Sequence, residues 1–192
     1  MSFSSLPERL KQETHEAHRQ VEDLLRLDGP LTRERYAEIL RGFAAFLLPW
    51  ERQMAAGLPA SWRPFFEARR RAARLAQDLR ALGEDPSLPP APVRLPRTDT
   101  LARALGSLYV IEGSTLGARI IGPRLQAGLG VTPQAGGSYF AGHGEHTGTM
   151  WRDFRQALAE LPPGPAWDEA AEAARQTFAG LIGVFSGKAV AG

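Results

Sequence analysis

Two groups of residues have the types and spacing from which chemistry can be built. The first is Lys11, His15, His18 and Glu22, all within one short charged stretch. His18 and Glu22 lie four apart, so in a helix they share a face one turn from each other. A histidine that binds iron through one ring nitrogen needs the other nitrogen held by an acceptor, and Glu22 could supply it, directly or through water. The plainer reading makes His15 and His18 surface residues paired with Glu16 or Glu22. The second group is Gly106, Gly113, Gly117 and Gly122, with Ser114 and Ala118 beside two of them. These glycines interrupt a stretch whose apolar residues (Leu101, Leu105, Leu108, Ile111, Leu116) recur at helical steps. A glycine inside a helix costs roughly 0.5–1 kcal/mol relative to alanine. Gly113 and Gly117 sit one turn apart on one face and bare a strip of backbone. Close packing of another helix, a local bend or a flat ligand would each account for that strip. His143 and His146, three apart in a glycine-rich setting, form only a weak metal signal.

The elements that must position these groups all read as helices. Ser5 and Glu8 have capping-box spacing, with Pro7 inside the first turn, so a helix is expected over 6–27 along Leu10, Ala17, Val21, Leu24 and Leu25. Thr32 caps a second helix through Tyr36, Ile39, Leu40, Phe43, Phe46 and Leu47, which Pro49 ends or kinks. A third runs from Trp62 and Pro64 to about Leu82, with Arg69, Arg70, Arg71, Arg74 and Arg80 as a solvated face or a docking surface for an acidic partner. Five prolines make 85–97 a surface connector. The glycine helix spans 101–126 and a glycine-rich loop spans 128–148. Trp151, Phe154, Leu158 and Leu161 mark a further helix. The last starts near Pro165, with Asp168 and Glu169 suiting its dipole, and passes Phe178, Leu181, Ile182 and Phe185. No segment reads as a strand. The expected fold is all-α, one domain over 1–192.

Composition narrows the function classes. Without cysteine there are neither disulfides nor thiolate metal sites. No apolar run reaches the roughly 20 residues that cross a bilayer, and the N-terminal residues lack a signal-peptide core. A soluble cytoplasmic protein is expected, with no membrane partner. The 23 basic residues nearly balance 21 acidic ones, which gives little support to nucleic-acid binding, and none is expected. Neither special helix fits a serine, cysteine or carboxylate-dyad scheme, and the G-S-T-L-G run is no phosphate loop. A planar, largely apolar iron macrocycle between the two helices would use both features. His18 would be its axial ligand, and the glycine strip would leave room for a diatomic gas on the other face of the iron.

The residues 10–25, LKQETHEAHRQVEDLL, resemble the proximal helix of heme oxygenases, and 109–118, YVIEGSTLGA, resemble their distal helix. The likeness is closest to the bacterial branch, including enzymes found beside bacteriophytochromes. The resemblance implies a helical fold with heme sandwiched between these helices, and heme as both cofactor and substrate. It implies oxygen-dependent opening of heme to biliverdin, with release of iron and carbon monoxide. His18 matches the proximal iron ligand and Glu22 its carboxylate neighbour. Gly113 and Gly117 match the distal glycines. Lys11 matches a residue that meets a heme propionate, and Tyr109 is similar to a tyrosine that does so in some bacterial members. Arg155 and Arg152 stand where another propionate contact would come from, and Phe178 is a ring contact. Ser114 replaces the aspartate of the animal enzymes, so another donor must hold the distal water network. Ala118 replaces a second glycine, and its methyl group would narrow the distal site. His15 matches no family role.

The chain contains no flavin or nicotinamide motif, so electrons must come from an external donor, a ferredoxin or a reductase. The arginine-rich third helix would offer one docking face for it, and a bacteriophytochrome would be one acceptor of the product. The main rival is a heme-binding or heme-sensing protein on the same scaffold without turnover. A non-heme metal protein using His15, His18, Glu22 and the loop histidines is the other.

Overall fold

The computed structural model describes residues 3–86 and 93–187, apart from the side chains of residues 118 and 119. Residues 87–92 of the connector expected over 85–97 lie outside the described residues. Helix α1 (Leu6–Leu25) begins as its cap spacing predicts: extended Ser5 accepts the N–H of Glu8 at 3.4 Å, with Pro7 in the first turn. It ends two residues early because Arg26 takes a left-handed conformation (φ 50°) and donates its N–H to the Glu22 carbonyl at 2.9 Å. Leu6, Leu10, Val21 and Leu25 are buried along its inner face.

Pro49 does not end the second helix. Helix α2 (Arg33–Gly57), capped by Thr32, carries it in its interior. The neighbouring Phe46, Leu47, Trp50 and Met54 are all buried, and that packing outweighs the ladder hydrogen bond which proline cannot make. Trp50 Nε1 donates to Ser107 Oγ at 2.8 Å, and Ser107 Oγ lies 2.7 Å from Thr177 Oγ1. Those three residues belong to three different helices.

The third helix expected up to residue 82 is broken. A 3-10 turn, Ala60–Trp62, leads into the short α3 (Arg63–Glu67), and α4 (Ala72–Ala81) starts afresh. Glu51 of α2 causes the restart. Its carboxylate, only 4% exposed, accepts the backbone N–H of Arg71 at 2.7 Å and of Ala72 at 2.8 Å, so it caps α4 from outside. The break turns Arg69 and Arg71 inward, and both are buried. Arg70 pairs with Glu51 and Glu67. Arg74 is half-buried and donates to the Gly142 carbonyl. Arg70 and Arg80 are exposed as expected, but Arg69 and Arg71 are not, so the five arginines do not form one solvated face.

The glycine helix is also interrupted. Helix α5 (Leu101–Ser114) passes through a 3-10 turn, Thr115–Gly117, into α6 (Ala118–Leu129). The Ser114 hydroxyl donates to the Ile111 carbonyl at 2.7 Å and the Thr115 hydroxyl to the Glu112 carbonyl at 2.6 Å. These back-bonds compete with the helix ladder, and they loosen it at the end of α5. Residues 130–146 form turns stitched to the rest by Asp78, which accepts the N–H groups of Ser138 (2.9 Å) and Tyr139 (2.8 Å). Helix α7 (Thr147–Ala159) starts four residues before Trp151, and α8 (Pro165–Phe185) closes the described fold.

Helix α8 packs against α1, α2 and α5. Its buried Ala170, Ala171, Ala173 and Ala174 present a low surface to α5, where a Cβ on Gly106 would run into the Ala170 backbone. Among the described residues there is no strand, only isolated bridges from Thr132 to Ala135 and Gly136. No helix among the described residues is long and apolar enough to cross a membrane.

Candidate functional site

His18 stands on α1 with its side chain 56% exposed, and its Nε2 lies 3.5 Å from Glu22 Oε1. That distance suits electrostatic orientation better than a direct hydrogen bond. The imidazole rests on Phe178 of α8, with ring centroids 5.8 Å apart and planes tilted by 42°. Phe178 itself is buried, so α8 supplies an apolar base on which the histidine stands. Lys11, two turns before His18 on α1, is exposed.

Gly113 lies near the C-terminal end of α5. A Cβ built there would meet only the tip of Trp151, at 3.9 Å, and one on Gly117 only the end of Ile121, at 3.5 Å. Both are ordinary contact distances. Close helix packing, one of the explanations left open for the glycine strip, applies to Gly106 against α8 and not to Gly113. The backbone at Gly113 is thus bare toward a space that no other helix fills closely, which suits a flat ring. Leu116, in the following turn, is 43% exposed, so the rim is apolar. Tyr109, one turn before Gly113, packs on Trp151 at 5.7 Å between centroids. Burial raises the pKa of its hydroxyl, while the positive charge of Arg155 draws it back. Tyr109, Trp151, Arg155 and Gly113 therefore form one neighbourhood, and His18, Glu22 and Phe178 another. The helices that carry them, α5 and α1, both pack on α8. Arg152 is exposed, with Asp153 Oδ1 3.9 Å from its Nε. The Ala118 side chain lies outside the described residues.

Behind the distal turn is a buried polar layer that sequence reading missed. Glu112 is 1% exposed; its Oε1 lies 3.1 Å from His143 Nε2 and its Oε2 3.5 Å from Arg69 Nε. The Arg69 guanidinium lies over the Phe65 ring at 3.5 Å and donates to the carbonyls of Phe65 (2.9 Å) and Met150 (3.3 Å). Burial lowers its pKa, with the charges of Glu112 and Asp153 opposing. Arg71 Nη2 reaches the Ile111 carbonyl at 2.9 Å and Ser114 Oγ at 3.3 Å. Of this layer the sequence marked His143 as a weak metal signal and Arg69 and Arg71 as part of a solvated cluster; the partner of His143 is Glu112, not His146, which is exposed. No three histidine, aspartate or glutamate side chains converge as a metal cluster among the described residues.

Fold and site define an all-helical protein with a half-exposed imidazole on one helix and bare glycine backbone on another, both braced on a third. A family model described as heme oxygenase matches residues 4–187, and the chain belongs to that family. It is 32% identical, over 157 residues, to a heme oxygenase of Xanthomonas campestris pv. campestris, a match spanning 79% of this chain and 88% of the relative. It also resembles the crystal structure of the NO- and CO-bound heme oxygenase from Neisseria meningitidis. That likeness has a TM-score of 0.74 at 27% identity and covers 96% of this chain and 92% of the other. The protein is accordingly a heme-degrading enzyme of the heme oxygenase type.

Proposed function

We propose that heme binds between α1 and the turn joining α5 to α6, and that this chain opens it to biliverdin with loss of iron and carbon monoxide. The observation that carries the placement is the contrast between the two glycines of α5: Gly106 is filled by the α8 backbone, whereas Gly113 meets one ring edge at 3.9 Å. Heme, when bound, supplies the oxygen-activating iron and is itself the molecule consumed. His18 would hold the iron through its imidazole, and Glu22, 3.5 Å from Nε2, would keep that ring oriented. Phe178 sets the depth of the ring beneath it. Lys11, Tyr109 and Arg155 hold the propionates, cation and hydroxyl against carboxylate. Gly113 and Gly117 keep side chains out of the distal face, and Ser114 presents its hydroxyl there. Electrons come from an external ferredoxin or reductase in the cytoplasm. A bacteriophytochrome is the proposed acceptor of the product, on the sequence resemblance alone.

The test is a hemin titration of the apo-protein followed by reduction under air, with ascorbate or ferredoxin and its reductase, and catalase present. A one-to-one complex whose Soret band collapses into biliverdin absorbance is expected. A complex that never turns over with any of these donors would instead favour heme binding without catalysis. In the His18→Ala variant the shifted Soret band is expected to disappear, and an unchanged spectrum would sink the ligand assignment.

A further inference from the structure

Arg71 is left without a task in the scheme above. Its side chain is 3% exposed, yet none of the ion pairs among the described residues includes it. The three buried carboxylates nearby are committed elsewhere. Glu112 faces Arg69 and His143. Glu51 accepts from the Arg70 side chain and from the backbone N–H groups of residues 71 and 72. Asp78 accepts from the backbone of Ser138 and Tyr139 and from the Ser138 hydroxyl. Among the described residues the guanidinium of Arg71 is bonded to neutral groups alone: the carbonyls of Ile111 (2.9 Å) and Tyr139 (3.5 Å) and Ser114 Oγ (3.3 Å), with the Tyr139 ring 4.9 Å away at its centroid. Its Nε has no hydrogen-bond partner among the described residues. Arg74, one turn on, adds positive charge: its own pKa is lowered by burial and, after that, by repulsion from Arg71.

A buried cation without a counter-charge is costly, and a fold retains one where an anion completes it. Ser114 links this charge to the outside. It is exposed and follows Gly113 directly, and Arg71 donates both to its oxygen and to the Ile111 carbonyl. The hydroxyl proton that Ser114 gives to Ile111 can therefore turn toward a ligand without leaving that carbonyl unpaired. We infer that Arg71 is a positioning residue for the distal face: acting through Ser114, it makes the space at Gly113 favour an anionic ligand over a neutral one. The inference rests on the placement of heme argued above.

Arg71→Met keeps the apolar stem against Tyr139 and removes the charge. The probes are azide for the ferric heme complex and carbon monoxide for the ferrous one. Azide affinity is expected to fall roughly tenfold, the scale on which one charge a few ångströms away acts inside a protein. Carbon monoxide affinity should stay within about twofold. Ser114→Ala, at an exposed side chain, should weaken azide by a smaller factor, and the two changes combined should fall short of additivity. Losses equal for both ligands, or none for azide, would overturn the role. If Arg71→Met does not fold, Ser114→Ala decides alone: weaker azide with unchanged carbon monoxide supports the inference, and unchanged azide defeats it. Wild-type protein that takes up no hemin defeats the heme placement as well, whereas an intact complex with unaltered azide affinity defeats only the role of Arg71.

Discussion

A methyl group added at Gly106 and one added at Gly113 meet different surroundings, and substitution separates the two. At Gly106 the new carbon runs into the Ala170 backbone, which cannot swing aside as a side chain would. Gly106→Ala is therefore expected to cost about 1–3 kcal/mol of stability, as overpacking does. At Gly113 the same carbon meets only the Trp151 ring edge at 3.9 Å. Gly113→Ala should leave the apo-protein as stable or up to about 1 kcal/mol more so, through helix propensity, while weakening or shifting the hemin complex. Urea denaturation of both apo-variants, with a hemin titration of the second, checks the pair. Spacing along the chain could expose both glycines but not tell them apart, because what fills each one is a partner helix more than 60 residues away or nothing. His18 and Glu22 were legible for the opposite reason: their relation is one turn of one helix. Arg71 was not, since a guanidinium in an arginine-rich amphipathic stretch looks solvated until the chain is seen to break beneath it.

That break is the element whose cause lies furthest from its own sequence. Residues 62–82 carry a helical pattern without interruption, and the strongest local breaker, Pro64, falls in the first turn of α3 where proline is tolerated. The stop comes from Glu51, which holds the N–H groups of Arg71 and Ala72 across from α2. Glu51→Ala would leave those donors and the Arg70 head without their acceptor. It is expected to lower stability by about 3–5 kcal/mol, the scale for removing one partner of a buried charged set. Glu51→Gln, which still offers an oxygen, should lose less. Urea midpoints for the two variants test this, and equal losses would mean that volume, not hydrogen bonding, is what Glu51 contributes. The ends of α1 and α8 needed no such help, as their caps and prolines are local.

Across the whole molecule, α8 lies against α1, α2 and α5, and Trp50, Ser107 and Thr177 tie three of these helices by hydrogen bonds. One domain was expected from the sequence, and this arrangement leads to a definite outcome. Far-ultraviolet circular dichroism and tryptophan fluorescence should follow a single coincident transition in urea. Separated transitions would show that the α5–α8 pair unfolds apart from the rest. The all-helical fold was legible because amphipathic periodicity is a local property. The broken third helix and the buried polar layer were not, because their partners are distant in the chain. The contact at Gly106 has a further consequence, for engineering. Two backbones that touch leave no side-chain length between them, so their separation acts as a fixed gauge that core substitutions elsewhere cannot tune. With heme placed as proposed, redesign of the enzyme for a bulkier or smaller tetrapyrrole should begin at Tyr109, Leu116 and Trp151, where side chains still set the dimensions.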